Sequence, residues 1–188
     1  MTPEPVSVPA LSRFRDHLQG LAATAGRALG GEGDDPRPLK GYALLLSVYG
    51  GGGGVIALVA RRRKVSPTLP GPAEFAISAL AVQHISRVLT KDSITSVLRA
   101  PMVDFEEPTG EGEVSERVIG TGVRHALGEL VTCPFCIAQW TATALVAGRV
   151  FSPRLTTGVT TVAALAGTSD YLQLAYATLK KLPRALGD

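Results

Sequence analysis

The sequence contains one recognisable chemical motif, Cys133-Pro134-Phe135-Cys136. Two thiols separated by two residues at a helix start suit thiol-disulfide chemistry, because the helix dipole stabilises a thiolate there. Pro134 fits the first helical turn, where its missing N–H is not needed. A membrane thiol oxidoreductase needs a second cysteine pair to pass electrons on, and the chain has 2 cysteines in total. The motif therefore predicts a redox site without its electron relay.

The same thiolates also fit a metal site, which is the second interpretation. A structural zinc site takes four ligands, so Cys133 and Cys136 need two more. His125 precedes them in the sequence and is a candidate ligand, and a symmetric pair of chains would instead supply two cysteines each. Zinc or iron is thus a hypothesis without an established cofactor. In the third interpretation, the cysteines only pack a helix start against its neighbours.

The run of glycines from Gly50 to Gly54 has two interpretations as well. Glycines between apolar stretches are typical of phosphate-binding loops, but the Lys-Ser or Lys-Thr ending of such a loop is missing. Glycines four residues apart let two membrane helices approach closely. We therefore expect Gly50 and Gly54 to serve helix packing.

Stretches without charge predict the elements that position these residues. About 20 apolar residues of helix cross a hydrocarbon core of about 30 Å. Residues 42 to 60 and 130 to 148 carry no charge, and residues 155 to 179 carry only Asp170. Residues 73 to 90 are ambiguous, because Glu74 and Arg87 interrupt them. The prediction is an all-α fold, a small polytopic helical protein with three or four transmembrane helices in the cell membrane.

Polar residues inside a membrane need a partner or a function. Glu129 and Gln139 flank the cysteines, and Asp170 lies within the last window. Asp170 paired with Arg87 or Arg149 would be structural. An unpaired, protonatable Asp170 would suit a small transporter component.

The composition and the charge distribution agree with a membrane protein. The chain of 188 residues is 45% hydrophobic and 19% charged, and its formal net charge is +3. Its mean hydropathy is +0.21, which argues against a disordered chain. The low net charge and 5% aromatic residues argue against a nucleic-acid partner.

The chain divides into a tail, a membrane domain and a polar connection. Residues 1 to 40 are predicted to form a Pro-rich tail, either with an amphipathic surface helix or as a solvated, partly disordered segment, and residues 41 to 182 the membrane domain. Residues 91 to 129 form an acidic connection, expected as a solvated face. Because Lys and Arg collect in cytoplasmic segments, two topologies are favoured: four spans with the N-terminus inside, or three with it outside. Both place the acidic connection and the C-terminus in the cytoplasm.

The order of residues from Leu89 onward is similar to that of a known family. LTKDSITSVLRAP, an acidic stretch and GTGVRHALGELVTCPFCIAQW resemble the bacterial membrane family called domain of unknown function 1360, some members of which carry a sporulation label. The resemblance covers roughly residues 42 to 176. It implies an all-helical integral membrane protein whose interaction surface includes Lys91, Asp92, Arg99, Pro101 and Trp140. It implies no reaction.

These observations lead to one main functional prediction and two alternatives. The main prediction is a non-enzymatic membrane anchor or interaction protein that acts through its cytoplasmic acidic connection. Its expected partners are the lipid bilayer, other membrane or cytoplasmic proteins and a second copy of the chain. The alternatives are a thiol-redox or metal-binding protein using Cys133 and Cys136, and, more weakly, a transporter component using Asp170.

Overall fold

The computed structural model describes residues 37–65 and 69–185, and most of these are helical. The predicted amphipathic helix of the tail lies outside the described residues. The elements follow one another as α1 Leu39–Arg62, α2 Pro72–Lys91, α3 Ser96–Arg99, β1 Val103–Gly110, β2 Glu113–Val118, α4 Gly122–Thr132, α5 Pro134–Phe151 and α6 Pro153–Ala185.

The four long helices α1, α2, α5 and α6 alternate in direction. Arg149 near the end of α5 forms an ion pair with Glu74 at the start of α2, with 2.7 Å between Nη1 and Oε1. Arg63, just after α1, stacks over the ring of Phe151 at 5.6 Å. Helices α1 and α5 therefore finish, and α2 and α6 begin, at one end of the bundle. We call this the arginine end.

The opposite end contains the start of α1, the hairpin and the last turns of α6. A Cβ on Gly41, in the first turn of α1, would lie 2.6 Å from the Cβ of Ala126 in α4. Only glycine permits this approach of the two helices. We call this end the hairpin end.

Small side chains fill the centre of the bundle. Ala81 of α2 is fully buried and packs with Ala163 and Ala164 of α6. Gly167 lets the same helices come close, since a Cβ there would lie 2.9 Å from the Cβ of His84. Large apolar side chains point outward instead, among them Leu44, Leu46, Val48, Val55 and Leu58 of α1. Small residues inside and large apolar residues outside are typical of helices packed in lipid.

The helices meet the length and hydropathy of membrane spans only in part. In the described residues, α1 is long and apolar enough to span a membrane. Helices α4 and α5 pass the same criteria only together and are bent by 81° at their junction. The uncharged window from 130 to 148 thus crosses the junction of two helices, because the chain turns at Cys133 before Pro134 starts a new helix. One or two helices therefore qualify by composition, against the three or four expected.

The acidic connection departs from the predicted all-α fold. It contains an antiparallel hairpin in which Val103 pairs with Val118 and Gly110 with Glu113. The turn places three successive residues at positive φ, at 97° for Gly110, 54° for Glu111 and 80° for Gly112. Glycine at two of these positions makes the tight turn accessible. The all-α prediction is therefore wrong for this segment, although β1 is largely exposed, as expected of a solvated face.

Candidate functional site

The centre of the connection is Arg99, whose guanidinium is buried and fully hydrogen-bonded. Its Nε donates to Oε2 of Glu116 at 2.5 Å, and the two side chains are 1% and 4% exposed. The other four N–H groups donate to Leu89 O at 2.8 Å, Thr95 Oγ1 at 2.7 Å, Asp92 O at 3.0 Å and Ser96 Oγ at 3.2 Å. All five donors of the guanidinium therefore have an acceptor.

This network fastens the hairpin to the bundle. Leu89 belongs to α2 and Glu116 to β2, so Arg99 joins the two elements. Ser96 donates a hydroxyl hydrogen bond to the other oxygen of Glu116. We call residues 92 to 120, the turn and the hairpin together, the hairpin module. Arg99 was expected on an interaction surface, and that expectation is wrong because the side chain is enclosed.

Further contacts fix the hairpin module at its two sides. Arg124 of α4 donates to the carbonyl of Pro101 from Nε at 2.9 Å and from Nη2 at 2.6 Å. Arg87 of α2 binds Glu113 of β2 through Nε at 2.9 Å. Lys91 ends α2 directly before the module. The hairpin module is therefore held by both neighbouring helices, by α2 through Glu113 of β2 and by α4 through Pro101.

The outer side of the hairpin module is acidic and exposed. Arg117 is the basic residue among these side chains, and it contacts only Asp104 at 3.5 Å and Glu106 at 3.9 Å. Phe105 between these carboxylates is 63% exposed. We call the exposed side chains of this surface the acidic face: Asp104, Phe105, Glu106, Glu107 and Glu111. The fastened base thus carries an exposed surface of four carboxylates and one aromatic ring, and Arg117 offsets only part of its negative charge.

A polar cleft of about 640 Å³ lies between α2, the hairpin turn and α6. Within it, Nδ1 of His84 and Oδ2 of Asp170 are 3.1 Å apart. The predicted pairing of Asp170 with Arg87 or Arg149 is wrong, because Arg87 binds Glu113 and Arg149 binds Glu74. The pairing with His84 was not predicted. A histidine in a helix that was itself a candidate membrane span was the available signal.

The two cysteines lie at the predicted helix start. Cys133 is the N-cap of α5, and its sulfur accepts a hydrogen bond from the backbone N–H of Cys136 at 3.3 Å. Both thiols are free, Cys136 on the exposed side and Cys133 half-buried. His125 is directed toward Glu129 instead, with 3.6 Å between Nε2 and Oε1.

No group of three or more His, Cys, Asp or Glu side chains comes together in the described ranges. A zinc or iron ion at Cys133 and Cys136 would therefore take further ligands from outside this part of the chain, such as a second copy. The metal and redox interpretations stay predictions.

Polar residues of α5 hold α1 in place. Gln139 donates through Nε2 to the hydroxyl of Tyr49 at 2.7 Å, and this hydroxyl also contacts Oγ1 of Thr143 at 2.7 Å. The rings of Tyr49 and Trp140 meet edge to face with 5.1 Å between centroids. Near the hairpin end, Glu129 accepts a hydrogen bond from Tyr42 of α1. The polar side chains of α1 and α5 thus serve each other as partners.

The glycine run has no packing role among the described residues. A Cβ on either Gly50 or Gly54 would meet nothing within 4 Å. The close approaches of helices occur at Gly41 and Gly167 instead. Packing through Gly50 and Gly54 stays a prediction that concerns helices of another chain.

Comparisons with known proteins agree with the resemblance seen in the sequence. A family model described as a protein of unknown function (DUF1360) matches residues 77–176. Sporulation protein YjcA from Bacillus subtilis (strain 168) is 30% identical over 98 residues, 50% of this chain and 83% of that protein. No solved structure matches at a significant level. The match includes the hairpin module, the polar cleft and both cysteines but not α1. The chain therefore belongs to the DUF1360 family.

Proposed function

We propose that this protein is a multi-pass membrane protein that presents the acidic face to a basic surface of a cytoplasmic or membrane partner. The observation that carries the proposal is the contrast within the hairpin module. Its base is fastened by the buried pair of Arg99 and Glu116, whereas its outer carboxylates are exposed, and Glu107 and Glu111 among them have no cation beside them in the described ranges. Charged surfaces of this kind steer a partner of opposite charge and fix its orientation. The name of the Bacillus relative supports a partner that acts in sporulation.

Several features support four spans with the hairpin end in the cytoplasm. The start of α1, the hairpin module and the end of α6 share one end, which requires an even number of crossings. Helix α2 has 20 residues and so reaches about 30 Å, enough for the hydrocarbon core. Cytoplasmic loops collect Lys and Arg, and in the part of the chain that the structure describes more of these residues lie toward the hairpin end than at the arginine end.

A reporter enzyme that is active only outside the cell tests this topology. Fused after Val65, beyond α1, the reporter is expected to be active. Fused after Asp188, it is expected to be inactive, because the C-terminus follows α6 into the cytoplasm. Western blotting of both fusions serves as the control for expression. Activity of the C-terminal fusion would contradict the cytoplasmic acidic face.

Photocrosslinking tests the docking role. A photoreactive amino acid at Phe105 is expected to crosslink a specific partner in cells, because this ring is exposed among the carboxylates. The double variant Glu107→Gln/Glu111→Gln is expected to reduce the crosslinked product about five-fold, since two lost charge pairs of about 0.5 kcal/mol each weaken association by about 1 kcal/mol.

Arg117→Gln is the matched control for the crosslinking experiment. It removes an exposed charge from the same hairpin but leaves the acidic face more negative, so the crosslinked product should persist or increase. Equal crosslinking in the Glu107→Gln/Glu111→Gln variant and the unchanged protein would contradict recognition by charge.

A second candidate function is supported by the polar cleft. His84 and Asp170 within a cleft of about 640 Å³ would suit a transporter component that binds a small polar solute. This volume lies in the range of about 300 to 1,000 Å³ that ligand pockets have. We prefer the docking function, because Asp170 has His84 as a partner and so has a structural reason to be there.

A further inference from the structure

An apolar groove of about 610 Å³ runs between α1 and α5 toward the arginine end. It is lined by small and branched apolar residues, among them Gly53, Ile56, Ala57, Val146, Ala147 and Val150. Its depth results from the missing side chain at Gly53 and the short one at Ala57. The groove is open along one side and is not an enclosed cavity. An apolar ligand that approaches from the lipid would therefore enter it sideways.

The mouth of the groove is cationic. Arg61 and Lys64 line it at the last turn of α1. Neither forms an ion pair with a carboxylate in the part of the chain that the structure describes. Arg63 between them faces Phe151 and so leaves the mouth to the other two cations. Unpaired cations beside an apolar groove complement a ligand with a negative head and an apolar chain.

The dimensions agree with one leaflet of a bilayer. Helical residues from Gly53 to Arg62 extend about 14 Å along the axis. Half of a hydrocarbon core of about 30 Å is nearly the same length. A chain lying in the groove would therefore reach from the headgroup level to about the middle of the membrane.

We propose that this groove binds one anionic phospholipid. One acyl chain lies against Gly53 and Val146, and the phosphate lies between Arg61 and Lys64. The site rests on the membrane placement proposed above. It gives α1 an additional means of attachment to α5, beside the contacts of Tyr49 with Gln139 and Trp140. Anionic lipid is preferred because each cation near a phosphate headgroup adds an electrostatic contribution.

Lipid titration of the purified, delipidated protein tests the site. Binding of phosphatidylglycerol and of phosphatidylcholine is measured by native mass spectrometry. The unchanged protein is expected to bind phosphatidylglycerol about thirty-fold more tightly, the contribution of two cations near an anionic headgroup. The Arg61→Gln/Lys64→Gln variant is expected to lose this preference. Ala57→Phe, which fills the groove and keeps both cations, is expected to weaken binding of both lipids.

Arg154→Gln is the matched control, because it removes an exposed cation from the same end of the bundle but outside the groove. An equal loss in this variant, or equal affinity of the unchanged protein for the two lipids, would overturn the site. Alkaline carbonate extraction of cell membranes separates this failure from failure of the membrane placement. Release of the unchanged protein would overturn the membrane placement and the lipid site together. Retention without lipid preference would overturn the lipid site alone.

Discussion

Arg99→Ala is expected to lower the free energy of local unfolding of the hairpin module by about 3 to 5 kcal/mol, the usual effect of removing one partner of a buried ion pair. The substitution leaves Glu116, 4% exposed, as a buried carboxylate without its cation. It also leaves four further oxygen acceptors without their donor. Native-state hydrogen exchange of the amides in β1 and β2 measures this free energy directly, because it reports opening of this segment.

Two variants separate the loss of charge from the loss of geometry. Arg99→Lys keeps one positive charge but cannot reach five acceptors, so we expect it to recover only part of the lost free energy. Arg99→Met/Glu116→Leu removes both charges and should recover more than Arg99→Lys, since a paired apolar replacement leaves no unpaired carboxylate.

Arg117→Gln is the surface control for Arg99→Ala. Its guanidinium is 68% exposed, and its removal should change the free energy by about 0.5 kcal/mol or less. If Arg99→Ala and Arg117→Gln had the same effect on hydrogen exchange, the fastening role of Arg99 would be wrong.

The positions of the long helices could be predicted because their signal is local. The uncharged window at 42 to 60 lies inside α1, and the window at 155 to 179 lies inside α6. The ambiguous segment at 73 to 90 also forms a helix, in which Glu74 and Arg87 reach out to partners near the two ends of the bundle. Apolar length indicates where such helices form, whereas the partners of their charges depend on tertiary contacts.

The hairpin could not be predicted from charge density. The carboxylates of the connection suggested one solvated run, yet Glu116 is buried and Glu113 binds Arg87. These roles depend on Arg99, 17 residues before Glu116, and on Arg87, 26 residues before Glu113. A weaker signal was present, since Val114, Glu116 and Val118 alternate after a Gly-Glu-Gly turn. The signal is weak because Pro108 and the charged residues of β1 are untypical of a strand.

The residue types of the candidate site could be predicted from the sequence, but the contacts between these residues could not. The start of a helix at Pro134 is confirmed, and Cys133 lies at its cap. The role of Arg99 differs from the expected one, because residue order marks a segment but not which side chains it buries. The partner of Asp170 was not identified, since His84 lies 86 positions earlier in the chain.

Gly128→Leu is expected to force the hairpin module away from α4. A Cβ on Gly128 would lie 2.5 Å from Cγ1 of Val118 and 3.1 Å from the carbonyl oxygen of Met102, and a leucine adds three more carbons beyond it. Overpacking of this kind costs about 1 to 3 kcal/mol. One of the two strained contacts is with the backbone carbonyl of Met102, which belongs to the hairpin module. The hairpin module should therefore separate from α4 before the long helices separate from one another. We expect protease cleavage at the turn near Glu111 to accelerate about ten-fold, as follows from about 1.4 kcal/mol of destabilisation.

Gly158→Leu provides the matched control, because it makes the same substitution in a helix where a Cβ would meet nothing within 4 Å. Both substitutions remove a helical glycine and so gain about 0.5 to 1 kcal/mol of helix propensity. The difference between the two variants therefore isolates the contact of α4 with the hairpin. Only Gly128→Leu should accelerate cleavage at the turn, whereas Gly158→Leu should leave it unchanged. Equal cleavage rates would mean that the stability of the hairpin module does not depend on the contact of Gly128 with Val118 and Met102.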